Sequence, residues 1–82
     1  MKVGKLYRQL FPRAELYTNP LSSSCNGDKF YTSKNQILMC LEKNIEKNFY
    51  DFKVLVDGKI YYLTYKISEY SIFFEKDFKE LK

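Results

Sequence analysis

Apolar residues recur at helical spacing near the start of the chain. Val3, Leu6, Tyr7, Leu10 and Phe11 fall on one side of a helical wheel, and polar residues occupy the other side. Pro12 follows, and a proline disfavours helix in the residue before it. The pattern predicts a short amphipathic helix that ends at Pro12.

A second helix is predicted for residues 34–48. Ser33 followed by Gln36 fits a capping box, in which two side chains satisfy the free backbone donors of a helix start. The apolar residues that follow form one arc of a helix: Ile37, Leu38, Leu41, Ile45 and Phe49. Charged residues between them would cover the solvent side.

The pair Asp57-Gly58 separates two segments rich in β-branched and aromatic residues. Asp-Gly between such segments predicts a type I′ hairpin, since both turn residues must adopt positive φ. A two-residue loop pairs Val56 with Lys59, Val54 with Tyr61 and Phe52 with Leu63. The predicted core face then holds Phe52, Val54, Val56, Tyr61, Leu63, Tyr65 and Ile67. The opposite face holds Lys53, Leu55, Ile60, Tyr62, Thr64 and Lys66.

The remaining segments complete an α+β prediction: two N-terminal helices, then a three-stranded antiparallel meander, in a single domain of residues 1–82. Residues 70–74 are predicted as the third strand and residues 75–82 as a closing helical turn, while one longer helix from Glu69 is the alternative. Residues 13–31 are expected to form a long irregular connection, with a short strand at residues 15–18 as the alternative.

Composition argues against several functions. The 82 residues include no histidine, so the commonest general base and zinc ligand are missing, and the three glycines lie too far apart for a phosphate-binding loop. We therefore expect a protein that is not an enzyme and uses no cofactor or metal. Without an apolar segment long enough for a signal peptide or a membrane span, a cytoplasmic location is expected, with Cys25 and Cys40 as free thiols.

Two surfaces are candidates for binding a partner. The net charge of +4 arises from the first segment, where four cations occur without an acid: Lys2, Lys5, Arg8 and Arg13. The second candidate is the polar hairpin face with Lys53, Tyr62, Thr64 and Lys66, where rings lie between cations. Leu55 and Ile60 share that face, so it could instead meet a protein.

The leading hypothesis is a small protein-binding regulator or inhibitor, of the kind encoded by phages or mobile elements to act on a host or defence protein. The alternative is a nucleic-acid-binding domain that uses both candidate surfaces. A homodimer is a further option, because so short a chain has a thin core.

Overall fold

The computed structural model describes residues 1–20 and 27–81, which form seven strands and one helix. The elements are β1 (Leu6–Gln9), β2 (Arg13–Tyr17), β3 (Lys29–Ser33), β4 (Ile37–Glu46), β5 (Phe49–Val56), β6 (Lys59–Lys66), α1 (Ile67–Asp77) and β7 (Phe78–Leu81). The predicted α+β fold with two N-terminal helices is therefore wrong, because the protein is built mostly of β-strands.

All seven strands belong to one antiparallel sheet with the order β3-β2-β6-β5-β4-β1-β7. The connections β1–β2 and β3–β4 contain three residues each, yet each joins strands that lie four places apart in this order. In a flat sheet that separation is about 19 Å, whereas such a connection reaches at most about 14 Å. The sheet must therefore curl, and its inner face encloses the core.

The predicted hairpin is confirmed. Val56 pairs with Lys59, Val54 with Tyr61 and Phe52 with Leu63. Asp57 has φ 50° and Gly58 has φ 79°, as the type I′ turn requires. The turn chemistry and the alternation of side chains agreed here, so local sequence was sufficient.

The prediction of a helix in the first eleven residues is wrong. Residues Leu6–Gln9 form β1, in which Tyr7 and Gln9 are buried while Leu6 is exposed. That alternation has the period of two that is typical of a strand. The helical pattern placed Gln9 in solvent, but it lies on the inner face, where its amide is hydrogen-bonded.

The prediction of a second helix at residues 34–48 is also wrong. Asn35 adopts φ 75°, which no helix start allows, and Gln36 N–H donates to the Ser33 carbonyl in a turn. The strand β4 that follows carries apolar side chains on both faces, with Leu38 buried and Ile37 exposed. A continuous apolar segment of this kind does not distinguish a strand from a helix by periodicity.

The C-terminal elements are interchanged relative to the prediction. Residues 70–74, predicted as a strand, lie within α1, so the alternative of one longer helix was closer. Tyr70 and Phe74, four residues apart, face the sheet with their rings stacked. The predicted closing turn is wrong as well, because Phe78–Leu81 form β7, which pairs with β1.

The predicted irregular connection at residues 13–31 instead contains β2 and the first three residues of β3. β2 and β3 pair in register from Arg13 opposite Ser33 to Tyr17 opposite Lys29. The expected short strand at residues 15–18 overlaps β2. The expectation of a free thiol at Cys25 concerns a position outside the described residues.

The core lies between the inner sheet face and α1. Its buried apolar residues are Met1, Tyr7, Leu16, Leu38, Cys40, Phe52, Val54, Val56, Leu63 and Phe78. The predicted core face of the hairpin is thus correct for most of its members, while Tyr61 and Tyr65 are half-buried against it. Ile67 is the exception, since it is exposed at the start of α1.

Candidate functional site

The four cations of the predicted basic helix are not brought together. Lys2 forms a salt bridge with Glu80 at 3.7 Å, and Lys5 is exposed just before β1. Arg8 lies on β1, whereas Arg13 lies on β2, four places away in the sheet order. The chain has no basic helix face there, because that segment is a strand.

The four residues of the predicted hairpin face do share the outer face of the sheet. Lys53 pairs directly with Tyr62, Thr64 with Asp51, and Lys66 with Phe49. Thr64 also donates a hydrogen bond of 3.3 Å to Asp51, which is buried. The hairpin register was sufficient to place them.

Neighbouring strands extend this face into a row that we call the tyrosine row. The register aligns its members across five strands: Lys29, Tyr17, Tyr62, Lys53 and Glu42. Its two lysines already have acidic partners, since Lys29 lies 3.5 Å from Glu15 and Lys53 lies 3.7 Å from Glu42. The row therefore offers rings whose flanking cations are largely neutralised.

Beside the tyrosine row runs a second row of outward side chains, which we call the apolar row. Ile60, Leu55, Met39, Leu6 and Leu81 are direct cross-strand neighbours from β6 to β7. Ile60 is 48% exposed and Leu6 is 40% exposed, and the other three are half-buried. Five adjacent strands about 4.8 Å apart give the row a length of about 19 Å along the curved outer face.

On the side away from the tyrosine row, two cations border the apolar row, and we call them the basic pair. Arg8 and Lys79 are directly opposite each other on β1 and β7, and Ile37 faces Arg8 from β4. Neither cation forms an ion pair with any described residue. The Arg8 Nε atom is buried and has no hydrogen-bond partner within the described chain.

A cleft of about 310 Å³ opens where β2 and β6 diverge beyond the Tyr17–Tyr62 pair. It contains two carboxylates, Glu15 and Asp77. The hydroxyl of Tyr17 donates to Glu15 and lowers the pKa of that carboxyl, and the hydroxyl of Tyr65 donates to Asp77 at 2.7 Å. A general acid needs a raised pKa, so the bonded Glu15 is poorly suited to acid catalysis.

Other chemistry in the described residues is sparse. Cys40 is a free thiol in the core, and burial raises its pKa, which suits a structural cysteine. In residues 1–20 and 27–81, no three residues of the metal-binding types come close enough to hold an ion. The described helix is too short and too polar to cross a membrane.

Sequence reasoning found part of the apolar row and missed the rest. Leu55 and Ile60 were placed on the outer face by the hairpin register. Met39 and Leu6 were assigned to helices, and Leu81 to a helical turn. The available signal was an apolar residue at every position from Ile37 to Leu41, which a one-sided helix does not need.

No protein-family profile, curated protein or solved structure matches this chain. Its function must therefore be argued from the surfaces described above.

Proposed function

We propose that this chain is a protein-binding module without catalytic activity, a small regulator or inhibitor that meets its partner through the apolar row. The observation that carries the proposal is the alignment of five aliphatic side chains on the outer face of the sheet. An antiparallel sheet with one solvated face normally alternates apolar and polar residues. Isolated apolar side chains on a surface are ordinary, but a contiguous row is typical of an interface.

The alternative of nucleic-acid binding has weaker support from this surface. Bases bind by stacking on aromatic rings next to cations that contact phosphates. The apolar row contains no ring, and the lysines of the tyrosine row are engaged by Glu15 and Glu42. Aliphatic side chains bordered by polar ones match the composition of a protein interface more closely. We further propose a cytoplasmic location, for which the free, buried thiol of Cys40 is suitable.

The test begins with a photo-reactive amino acid in place of Leu55, introduced in the cells that express the protein. A second preparation carries it in place of Ile72, which is 55% exposed on α1. A protein cross-linked from Leu55 and not from Ile72 is then purified, and its affinity is measured by calorimetry.

Matched double variants decide whether the apolar row carries that affinity. Ile60→Gln with Leu6→Gln removes two exposed aliphatic side chains from the row, and Val3→Gln with Ile72→Gln removes two from elsewhere. Neither pair changes the net charge. We expect the first to weaken binding about 30-fold or more, since each buried aliphatic side chain contributes about 1–1.5 kcal/mol, and the second by less than about threefold.

Equal affinities for the two double variants would refute the assignment of the row. Micromolar or tighter binding of the wild type to an oligonucleotide at ~0.15 M salt, lost on Tyr62→Ala, would instead support the nucleic-acid alternative.

A further inference from the structure

The basic pair is an unfavourable arrangement in the free protein. Arg8 and Lys79 are direct cross-strand neighbours on one face, and like charges in that position destabilise a sheet. Other outward cations described on the sheet are not opposed by a like charge: Lys29 and Lys53 have acids beside them, Arg13 lies 3.8 Å from the centre of the Tyr31 ring, and Lys66 is opposite Phe49. The basic pair alone borders the apolar row without such compensation among the described residues.

The surroundings of Arg8 would make an incoming anion bind strongly. Ile37 on β4 is directly opposite Arg8, and Leu6 precedes Arg8 by two residues on the same face. Its Nε–H is buried and lacks an acceptor in the described structure. A hydrogen bond between ionised groups is stronger where water is excluded, and a guanidinium can hold a carboxylate through two parallel bonds.

The neighbouring side chains favour a protein carboxylate over a phosphate of nucleic acid. Next to the basic pair the outward side chains are aliphatic, so a base would find no ring on which to stack. A second copy of the chain is disfavoured too, because a two-fold contact at this edge would bring like charges together. A partner with an apolar strip and an acidic residue beside it is complementary to the whole surface.

We propose that Arg8 and Lys79 form a receptor for an Asp or Glu carboxylate of the partner protein, next to the apolar row. This inference rests on the proposed function, because the row supplies the contact that brings the carboxylate to the basic pair. The row contributes affinity, and the basic pair selects partners that are acidic at this position.

The experiment uses synthetic amphipathic helical peptides as probes. Each has the same leucine stripe, long enough to cover the apolar row, and is flanked by Glu, by Gln or by Lys. The peptides are titrated into the full chain labelled with ¹⁵N, and the Nε–H resonances of Arg8 and Arg13 are followed. Arg8→Lys assigns the two resonances, because the chain has two arginines.

We expect the Glu peptide to bind about tenfold or more tightly than the Gln peptide, as a charge-assisted hydrogen bond predicts, and to shift the Arg8 resonance rather than that of Arg13. Arg8→Gln with Lys79→Gln should abolish this advantage. Lys29→Gln with Lys53→Gln removes the same net charge from paired lysines and should preserve it.

Each other outcome has a definite meaning. Equal binding of the Glu and Gln peptides, with both weakened by Ile60→Gln and Leu6→Gln, would overturn the receptor and leave the proposed function standing. The receptor would also be overturned if the Arg8/Lys79 variant and the Lys29/Lys53 variant lost the preference for the Glu peptide over the Gln peptide equally. Net charge alone would then be responsible. Peptides that bind away from the row, or not at all, would count against both proposals. An oligonucleotide that shifts the Arg8 resonance at lower concentration than the Glu peptide would overturn the receptor in favour of nucleic acid.

Discussion

Gln9 is the buried polar residue whose replacement should reveal most about how the curled sheet is held. Its side chain is fully buried, and its Nε2 donates to the carbonyls of Phe11 at 2.8 Å and of Thr32 at 3.1 Å. The hydroxyl of Thr32, also buried, donates to Gln9 Oε1. One amide therefore joins β1 to β3, strands that lie five places apart in the sheet order.

Gln9→Leu should lower the free energy of unfolding by about 2–4 kcal/mol. The change removes both hydrogen bonds that the amide donates and leaves the buried Thr32 hydroxyl without its acceptor. Each buried polar group left unsatisfied costs about 1–3 kcal/mol, and the added apolar burial offsets part of the sum. For a domain of this size, about 1 kcal/mol corresponds to roughly 4–8 °C in the melting temperature.

Urea denaturation followed by circular dichroism measures the effect, and Gln36→Leu is the matched control. Gln36 is the other glutamine of the chain, and its amide makes long hydrogen bonds of 3.3 and 3.4 Å near the surface. We expect that control to stay within about 0.5 kcal/mol of the wild type. Adding Thr32→Val to Gln9→Leu should recover about 1 kcal/mol of unfolding free energy, because the hydroxyl that lacks an acceptor is removed. Equal stabilities for the two glutamine variants would refute the role assigned to this amide.

Two further predictions concern the turns and the alkaline limit of stability. Gly58→Val should destabilise the folded domain by about 1–2 kcal/mol, and Lys47→Gly should stabilise it by about 0.5–1 kcal/mol. The reason is that both positions have positive φ, which disfavours a side chain. Urea midpoints that move in the opposite directions would contradict this. Burial and the bond to Asp77 raise the pKa of Tyr65, so the unfolded chain loses this proton first and stability falls as pH rises above about 10. Tyr65→Phe should flatten that decline in thermal melts across pH 9–11, and an unchanged slope would be evidence against it.

The success of the hairpin and the failure of both helices have one physical basis. Around Asp57-Gly58, the turn residues and the side-chain alternation specify the same strand pair, and the contacts are local. In β4, outward residues such as Met39 are as apolar as inward ones such as Cys40, so the alternation that identifies a strand is obscured. The outward apolar residues that made β4 unrecognisable as a strand thus belong to the candidate site.

The rest of the site could not be predicted, because it forms by pairing between strands that are distant in the sequence. Leu6 on β1 faces Leu81 on β7, and these paired strands come from opposite ends of the described chain. Nothing in either local segment indicates that partner, since a strand of four residues carries too few positions to show a period. The basic pair was missed for the same reason: Arg8 was grouped with its sequence neighbours, while its true neighbour is Lys79.

The origin of the apolar row in distant strands links the stability of the sheet to partner binding. The row is complete only when β1 lies between β4 and β7, and Gln9 at the end of β1 helps to hold it there. If Gln9→Leu lowers stability only globally, nearly all molecules stay folded under native conditions, and the affinity for the partner should scarcely change. If β1 instead opens locally, the apparent affinity should fall in proportion to the fraction of molecules in which β1 is in place. Hydrogen exchange of the Tyr7 and Gln9 amides, compared with that of β5 amides such as Val54, distinguishes the two cases, because local opening would accelerate exchange in β1 alone.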